Sequence, residues 1–169
     1  GADTVVVRAR VAEGEEREHS STLKRSKTNP LPGSLRSTAE LIEAEGREAM
    51  MVPADLLDPV SLGVAVTRVI ERWGGVDVVV HNGRYIGPGH MDPFEDTPVE
   101  LIEQMLTCNV VAPLHLIKLC LPAMQRQGGG IVINVTSSAG DREIDAPIGK
   151  GGWGLGYSIT KAAFNRMVP

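Results

Sequence analysis

Apolar residues fall along this chain in two alternating patterns: short continuous runs, and longer stretches where they recur every three or four positions. The runs are Val5-Val6-Val7, Ala49-Met50-Met51-Val52, Val76-Asp77-Val78-Val79-Val80 and Ile131-Val132-Ile133-Asn134-Val135. Short runs of this kind predict strands buried on both faces. Between them the helical spacing dominates. Ser34 is placed to cap a helix with Leu35, Ala39 and Ile42 on one face, and Gly46 ends it. Asp58 and Pro59 form a cap and first-turn pair for a helix with Leu62, Val66, Val69 and Trp73 on one stripe, stopped by Gly74-Gly75. Thr97 with Glu100 has the spacing of a capping box for a long helix, which Pro113 and Pro122 are expected to bend or interrupt before Gly128-Gly129-Gly130. A last helix carries Tyr157, and residues 11–33, polar and closed by Pro30-Leu31-Pro32-Gly33, read as an exposed excursion.

Strands that alternate with helices must run parallel, joined by right-handed crossovers, so the chain is expected to form one doubly wound α/β domain over residues 1–169. Ligands of such sheets bind beyond the carboxyl ends of the strands. Arg10, Asp55, Asn82 and Ser137 all lie at or just past those ends.

Composition narrows the classes. With 169 residues, 42% hydrophobic content and a mean hydropathy of -0.03, the chain is long and apolar enough for a sizeable core. A net charge of -4 argues against a nucleic-acid surface, which requires clustered positive charge, and leaves small molecules as the expected partners. No apolar run in the sequence approaches membrane-spanning length and no signal-peptide pattern opens it, so the expected location is cytoplasmic. Cys108 and Cys120 sit in the long helical pattern and are expected to be buried free thiols. The histidines, His19, His81, His90 and His115, lack metal-ligand spacing, so no metal is expected.

The chemistry centres on Gly-Tyr-Ser-Ile-Thr-Lys-Ala-Ala, in which Tyr157 and Lys161 are one helical turn apart and share a face. An unperturbed phenol titrates near pH 10, and a fixed ammonium beside it is the simplest way to let it exchange protons at neutral pH. Taken alone, such a pair is as compatible with a solvated helix face as with a proton-transfer site.

In order along the chain, Ala54-Asp55-Leu56, His81-Asn82-Gly83, Cys108-Asn109-Val110, Asn134-Val135-Thr136-Ser137-Ser138-Ala139-Gly140 and Tyr157 with Lys161 resemble the central part of a short-chain dehydrogenase/reductase. The resemblance implies a Rossmann-like fold and hydride transfer between a nicotinamide cofactor and a carbonyl or alcohol. It maps a catalytic tetrad onto Asn109, Ser137, Tyr157 and Lys161, with Ser137 chosen by the Ser-x-x-Gly spacing to Gly140. It also implies that Asp55 and Leu56 border the adenine, that Asn82 and Gly83 line the cofactor, and that Lys161 holds the nicotinamide ribose. An arginine after the second family strand pairs with a 2'-phosphate, so Arg10 implies NADP rather than NAD. The long helices around residues 101–121 and after Tyr157 resemble surfaces through which family members form homodimers and homotetramers.

Several departures accompany the resemblance. His81 stands where an asparagine is usual, and Arg84 where a glycine is common. The connection from Ser137 to Tyr157 is long and glycine-rich, and its Trp153 either lines a substrate pocket or anchors the loop. No Gly-x-x-x-Gly-x-Gly turn precedes Val5, and the strand that carries it in the family lies between the strands at Val5 and Val76. The expectation is therefore an incomplete sheet with two unpartnered inner edges, a segment of a longer enzyme with marginal stability and weak cofactor binding by itself. The alternative from another class is a non-catalytic binding or interaction protein on the same scaffold.

Overall fold

The computed structural model describes residues 4–8, 33–143, 146–148, 150 and 152–167. Four parallel strands alternate with helices: β1 (Thr4–Arg8), α1 (Leu35–Ala44), β2 (Ala49–Pro53), α2 (Pro59–Trp73), β3 (Val78–His81), α3 (Val99–Leu106), α4 (Ala112–Arg126), β4 (Ile131–Asn134) and α5 (Leu155–Asn165). β1 pairs with β2, Thr4 opposite Ala49, and β3 pairs with β4, Val78 opposite Ile131. The result is two two-stranded parallel sheets with no ladder between β1 and β3, as expected for inner edges that lack a shared neighbour.

Local chemistry accounts for most boundaries. Ser34 caps α1 through a reciprocal box with Ser37, and Gly46 follows the helix at φ 72°. Asp58 accepts from the Val60 N–H to open α2, Pro59 occupies its first turn, and Gly74 ends it at φ 82°, where only glycine is unstrained.

Two expectations about the long helix are corrected. Thr97 does not cap it: α3 begins at Val99 without a side-chain cap. The Thr97 hydroxyl instead donates to the Pro93 carbonyl at 2.8 Å, closing the short 3-10 turn Phe94–Asp96. Nor do the prolines interrupt the helix, which is continuous over Val99–Arg126. Pro113 has no N–H to offer the carbonyl of Asn109, and the backbone resolves this with a π turn over Thr107–Val111, where Ala112 N–H donates to the Thr107 carbonyl. The most apolar 18-residue window of this 28-residue helix has a mean hydropathy of 1.4, enough by length and composition alone to cross a bilayer, a test that the core helix of a soluble protein also passes. Here its buried side packs against α2 and α5.

The core lies on one side of the strands. Val52, Ala54, Leu62, Ala65 and Ala112 join β2, α2 and α4, and Val66, Val76, Cys120 and Met124 continue the layer with Val79 and Val132 packed against it. Burying a side chain such as Leu62, 1% exposed, contributes about 1.5–3 kcal/mol. Cys108 and Cys120 are free and buried. Burial of β3 and β4 on both faces is not seen: Val78, Val80, Ile131 and Ile133 are exposed, because α2 and α4 cover only the other face of this pair.

Candidate active site

The carboxyl ends of β3 and β4, the π turn and α5 converge on Tyr157. Lys161 lies one turn further along α5, its Nζ 5.8 Å from the centre of the Tyr157 ring. The sequence pairing of phenol and ammonium is thus a spatial pairing. Lys161 is buried, and its ammonium donates to the Val135 carbonyl at 2.7 Å, bending back to the end of β4. Burial first, and the Arg84 guanidinium second, bring its pKa below the ordinary lysine value.

Asn109 organises the surroundings. It is buried in the π turn, where the looser backbone sets its side chain between two other elements. Its Oδ1 accepts from the Tyr85 N–H at 2.7 Å, and its Nδ2 donates to Thr160 Oγ1 at 3.0 Å. Thr160, itself fully buried, donates a hydrogen bond from its hydroxyl to the Tyr157 carbonyl at 3.1 Å. One amide therefore ties the loop after β3 to the helix that carries Tyr157 and Lys161.

Ser137 follows β4 directly. Its Oγ accepts from the Ala139 N–H at 3.2 Å and opens the 3-10 turn Ser138–Gly140. The spacing to Gly140 has a steric cause: a Cβ there would lie 2.6 Å from the Lys161 carbonyl carbon. Only glycine lets this turn seat against the backbone of α5 at Lys161.

At the other stations, the Asp55 carboxylate accepts from the Leu57 N–H at 2.9 Å, and the Asp55 N–H donates to Ser61 Oγ at 2.9 Å, which fixes the turn after β2. Asn82 and Gly83 are exposed just past β3, and a Cβ on Gly83 would touch Leu56 Cδ1 at 3.4 Å. The Asp55-Leu56 turn and the Asn82-Gly83 loop are thereby neighbours. Arg10 lies outside the described residues.

Three contacts were not evident in the sequence. Arg84 holds its guanidinium carbon 5.5 Å from the centre of the Tyr157 ring. The Trp153 ring is tilted against Tyr157 at 5.5 Å, so this residue of the glycine-rich connection stands beside the phenol. His81, which stands where an asparagine is usual, ends β3 buried edge-on against Phe164 of α5 at 6.3 Å between ring centres, and burial lowers its pKa. The signals for these contacts were Arg84 and His81 as unusual residues in a loop, but their partners lie on α5 and could not be read from spacing.

The donor set fits the nicotinamide end of a dinucleotide. Lys161 has one acceptor and no carboxylate partner among the described residues, leaving donors for ribose hydroxyls. Gly83 offers backbone unscreened by a side chain of its own in the loop past β3. No group of three or more potential metal-ligating side chains occurs among the described residues.

A Tyr-Lys pair, an asparagine-bridged loop and a glycine-seated serine turn thus meet at the carboxyl ends of parallel strands in a Rossmann-like fold. The short chain dehydrogenase family model matches residues 28–168, and the chain belongs to that family. It is 32% identical over 137 residues to L-rhamnose 1-dehydrogenase (NAD(P)(+)) of Sphingomonas sp., covering 80% of this chain and 50% of that protein. Among solved structures it is similar to an alcohol dehydrogenase from the archaeon Thermococcus sibiricus complexed with 5-hydroxy-NADP, with 30% identity, a TM-score of 0.65, and 79% and 53% of the two chains covered. It is also similar to a 7α-hydroxysteroid dehydrogenase complexed with NADH, with 26% identity, a TM-score of 0.68, and 79% and 48% covered. The chain spans about half the length of these relatives. Proteins of this family are NAD(P)-dependent oxidoreductases, and the relatives divide between the two cofactors.

Proposed function

We propose that this chain forms the catalytic part of an NADP-linked oxidoreductase acting on a carbonyl or alcohol. The observation that carries the reading is the Tyr157-Lys161 pair on one face of α5, with the ammonium 5.8 Å from the ring centre and anchored to the end of β4 beside the Ser137 turn. A bound nicotinamide supplies the hydride for reduction of a carbonyl carbon, or accepts it from a carbinol carbon. The proton work falls to the protein. In reduction Tyr157 donates its phenolic proton to the carbonyl oxygen, and in oxidation it takes the proton back. Ser137 donates its hydroxyl proton to that oxygen, which is compatible with its Oγ accepting from the Ala139 N–H.

Lys161 stabilises the negative charge left on the phenol oxygen and holds the ribose, so one cation serves electrostatics and orientation. Asn109 fixes the distance between the loop after β3 and α5, and helps hold a water for returning protons to Lys161. Asp55, Leu56, Asn82 and Gly83 line the cofactor, and Arg10 selects the 2'-phosphate of NADP. Trp153 forms a wall of the substrate pocket beside Tyr157, and its Ala variant is expected to raise the substrate KM. The exposed apolar residues Val111 of the π turn, Leu114 and Leu121 of α4 and Ile159 of α5 support a homodimer or homotetramer of the full-length, cytoplasmic enzyme.

The test is NADPH oxidation by the full-length protein against a panel of aldehydes and ketones. Tyr157→Phe is expected to lower kcat by about 10³-fold while NADPH still binds. Turnover by Tyr157→Phe at the parent rate would remove the reading. Cofactor binding without turnover of any carbonyl or alcohol would leave a non-catalytic binding protein.

A further inference from the structure

Tyr157 is flanked by two cations, and only one of them belongs to the proton-transfer pair. Arg84 is half-buried, with its guanidinium carbon 5.5 Å from the ring centre, and its one hydrogen bond among the described residues is from Nη1 to the Tyr85 carbonyl at 3.2 Å. Lys161 stands 5.8 Å from the same ring centre and, among the described residues, bonds only the Val135 carbonyl. Among the described residues no carboxylate pairs with either. The two cations also sense each other, since the Arg84 charge contributes to the depressed proton affinity of Lys161. Two like charges gathered in a partly dry place without an anion are costly, and an arriving anion relieves both the repulsion and the desolvation.

Among the described residues most guanidinium donors of Arg84 have no partner, and they form a planar fork matched to a carboxylate. The phenol oxygen and the guanidinium belong to groups in contact, so a molecule spanning them presents its reacting oxygen and its anionic group only a few bonds apart. We propose that Arg84 is the specificity-determining cation of this site, and that its substrates carry a carboxylate one or two carbons from the carbonyl or carbinol that reacts at Tyr157. The substrate class is a short 2- or 3-oxo acid or the matching hydroxy acid, with Trp153 walling its apolar remainder beside the phenol. This assignment rests on the oxidoreductase reading given above.

The experiment compares a short 3-oxo acid with its methyl ester as substrates of the full-length protein and NADPH, in the parent and in Arg84→Met and Arg84→Lys. Arg84→Met removes the charge and keeps the length of the side chain. It is expected to raise KM for the acid by about 10- to 100-fold, with little change for the ester or for NADPH. Arg84→Lys is expected to recover part of the loss, because a point charge replaces the fork. Equal changes for acid and ester would overturn the proposal, as would a rise confined to the KM for NADPH, which would assign Arg84 to a cofactor phosphate. If the parent reduces no carbonyl at all, the oxidoreductase reading fails by itself. Tryptophan fluorescence titrated with the unreacted acid then decides the Arg84 site separately: quenching that Arg84→Met abolishes upholds it, and quenching equal in both proteins overturns it.

Discussion

The turn after β2 and the cluster around Tyr157 sit at carboxyl ends of strands in the same fold, yet they are held by different kinds of bond. The turn after β2 is closed by hydrogen bonds that span two to six residues: Leu57 to Asp55, Val60 to Asp58, and Asp55 to Ser61. The Tyr157 cluster is closed by bonds that span 24, 51 and 26 residues: Tyr85 to Asn109, Asn109 to Thr160, and Lys161 to Val135. Local bonds form as soon as the turn forms and need little from the rest of the fold. Long-range bonds form only when β4, the π turn and α5 are already in place, so they make geometry and stability inseparable. The difference matches the work proposed for each end: grip on an adenosine tolerates some play, while proton transfer needs atoms held close to their reacting positions.

The comparison is broken most severely at Asn109. Removing its amide in Asn109→Ala leaves the buried Tyr85 N–H without its acceptor and Thr160 Oγ1 without its donor. Each lost partner costs about 1–3 kcal/mol, so a total loss of about 2–6 kcal/mol is expected in denaturant unfolding of the full-length protein. Because the same amide locates α5 against the loop after β3, kcat is expected to fall with the stability. A variant that loses stability and keeps its full kcat would show that the bridge is structural only.

What the sequence disclosed follows the same division. Caps and stops are local events, and Ser34, Asp58-Pro59 and Gly74 were legible from residue type and spacing. The Tyr157-Lys161 pair was legible because one helical turn brings them together, whatever the fold. The π turn was not, since Pro113 was read as a bend or interruption when the backbone could shift its hydrogen bonds by one residue and continue. Thr97 was misassigned because a hydroxyl three residues before Glu100 has the capping spacing, yet the preceding 3-10 turn offered it nearer carbonyls. Arg84 over Tyr157 and His81 against Phe164 join the end of β3 to α5, and no sequence period reports such a meeting. The bare face of β3 and β4 was equally hidden, because a run such as Val78-Val79-Val80 does not say whether one side or both will be covered.

A smaller effect sharpens the comparison through pH. His81 belongs to the long-range end, packed on Phe164, and burial lowers its pKa from 6.5. The folded protein therefore resists protonating this ring, while the unfolded chain accepts a proton near the ordinary value. Stability is then fully present above about pH 6.5 and falls as the pH drops below it, because the unfolded state binds more protons there. Thermal melts of the full-length protein at about pH 7.5 and about pH 5.5 are expected to show a larger acid-induced drop for the parent than for His81→Asn. Equal drops in the two proteins would mean that His81 protonates without cost and that its burial is not maintained in solution.

The smallest effect is expected at the locally bonded end. Asp55→Ala removes the acceptor of the Leu57 N–H but leaves the turn partly exposed to water, which can replace that bond. The loss in unfolding free energy is expected to stay below about 1 kcal/mol. If the turn borders the adenine as proposed, the KM for NADPH rises by about 3- to 10-fold, the equivalent of one modest hydrogen bond, while kcat at saturating cofactor is unchanged. That split separates the two ends directly: loss of Asn109 lowers kcat and stability together, and loss of Asp55 moves cofactor affinity alone. A fall in kcat with Asp55→Ala would show that the turn after β2 is coupled to the proton-transfer cluster by contacts beyond its own short bonds.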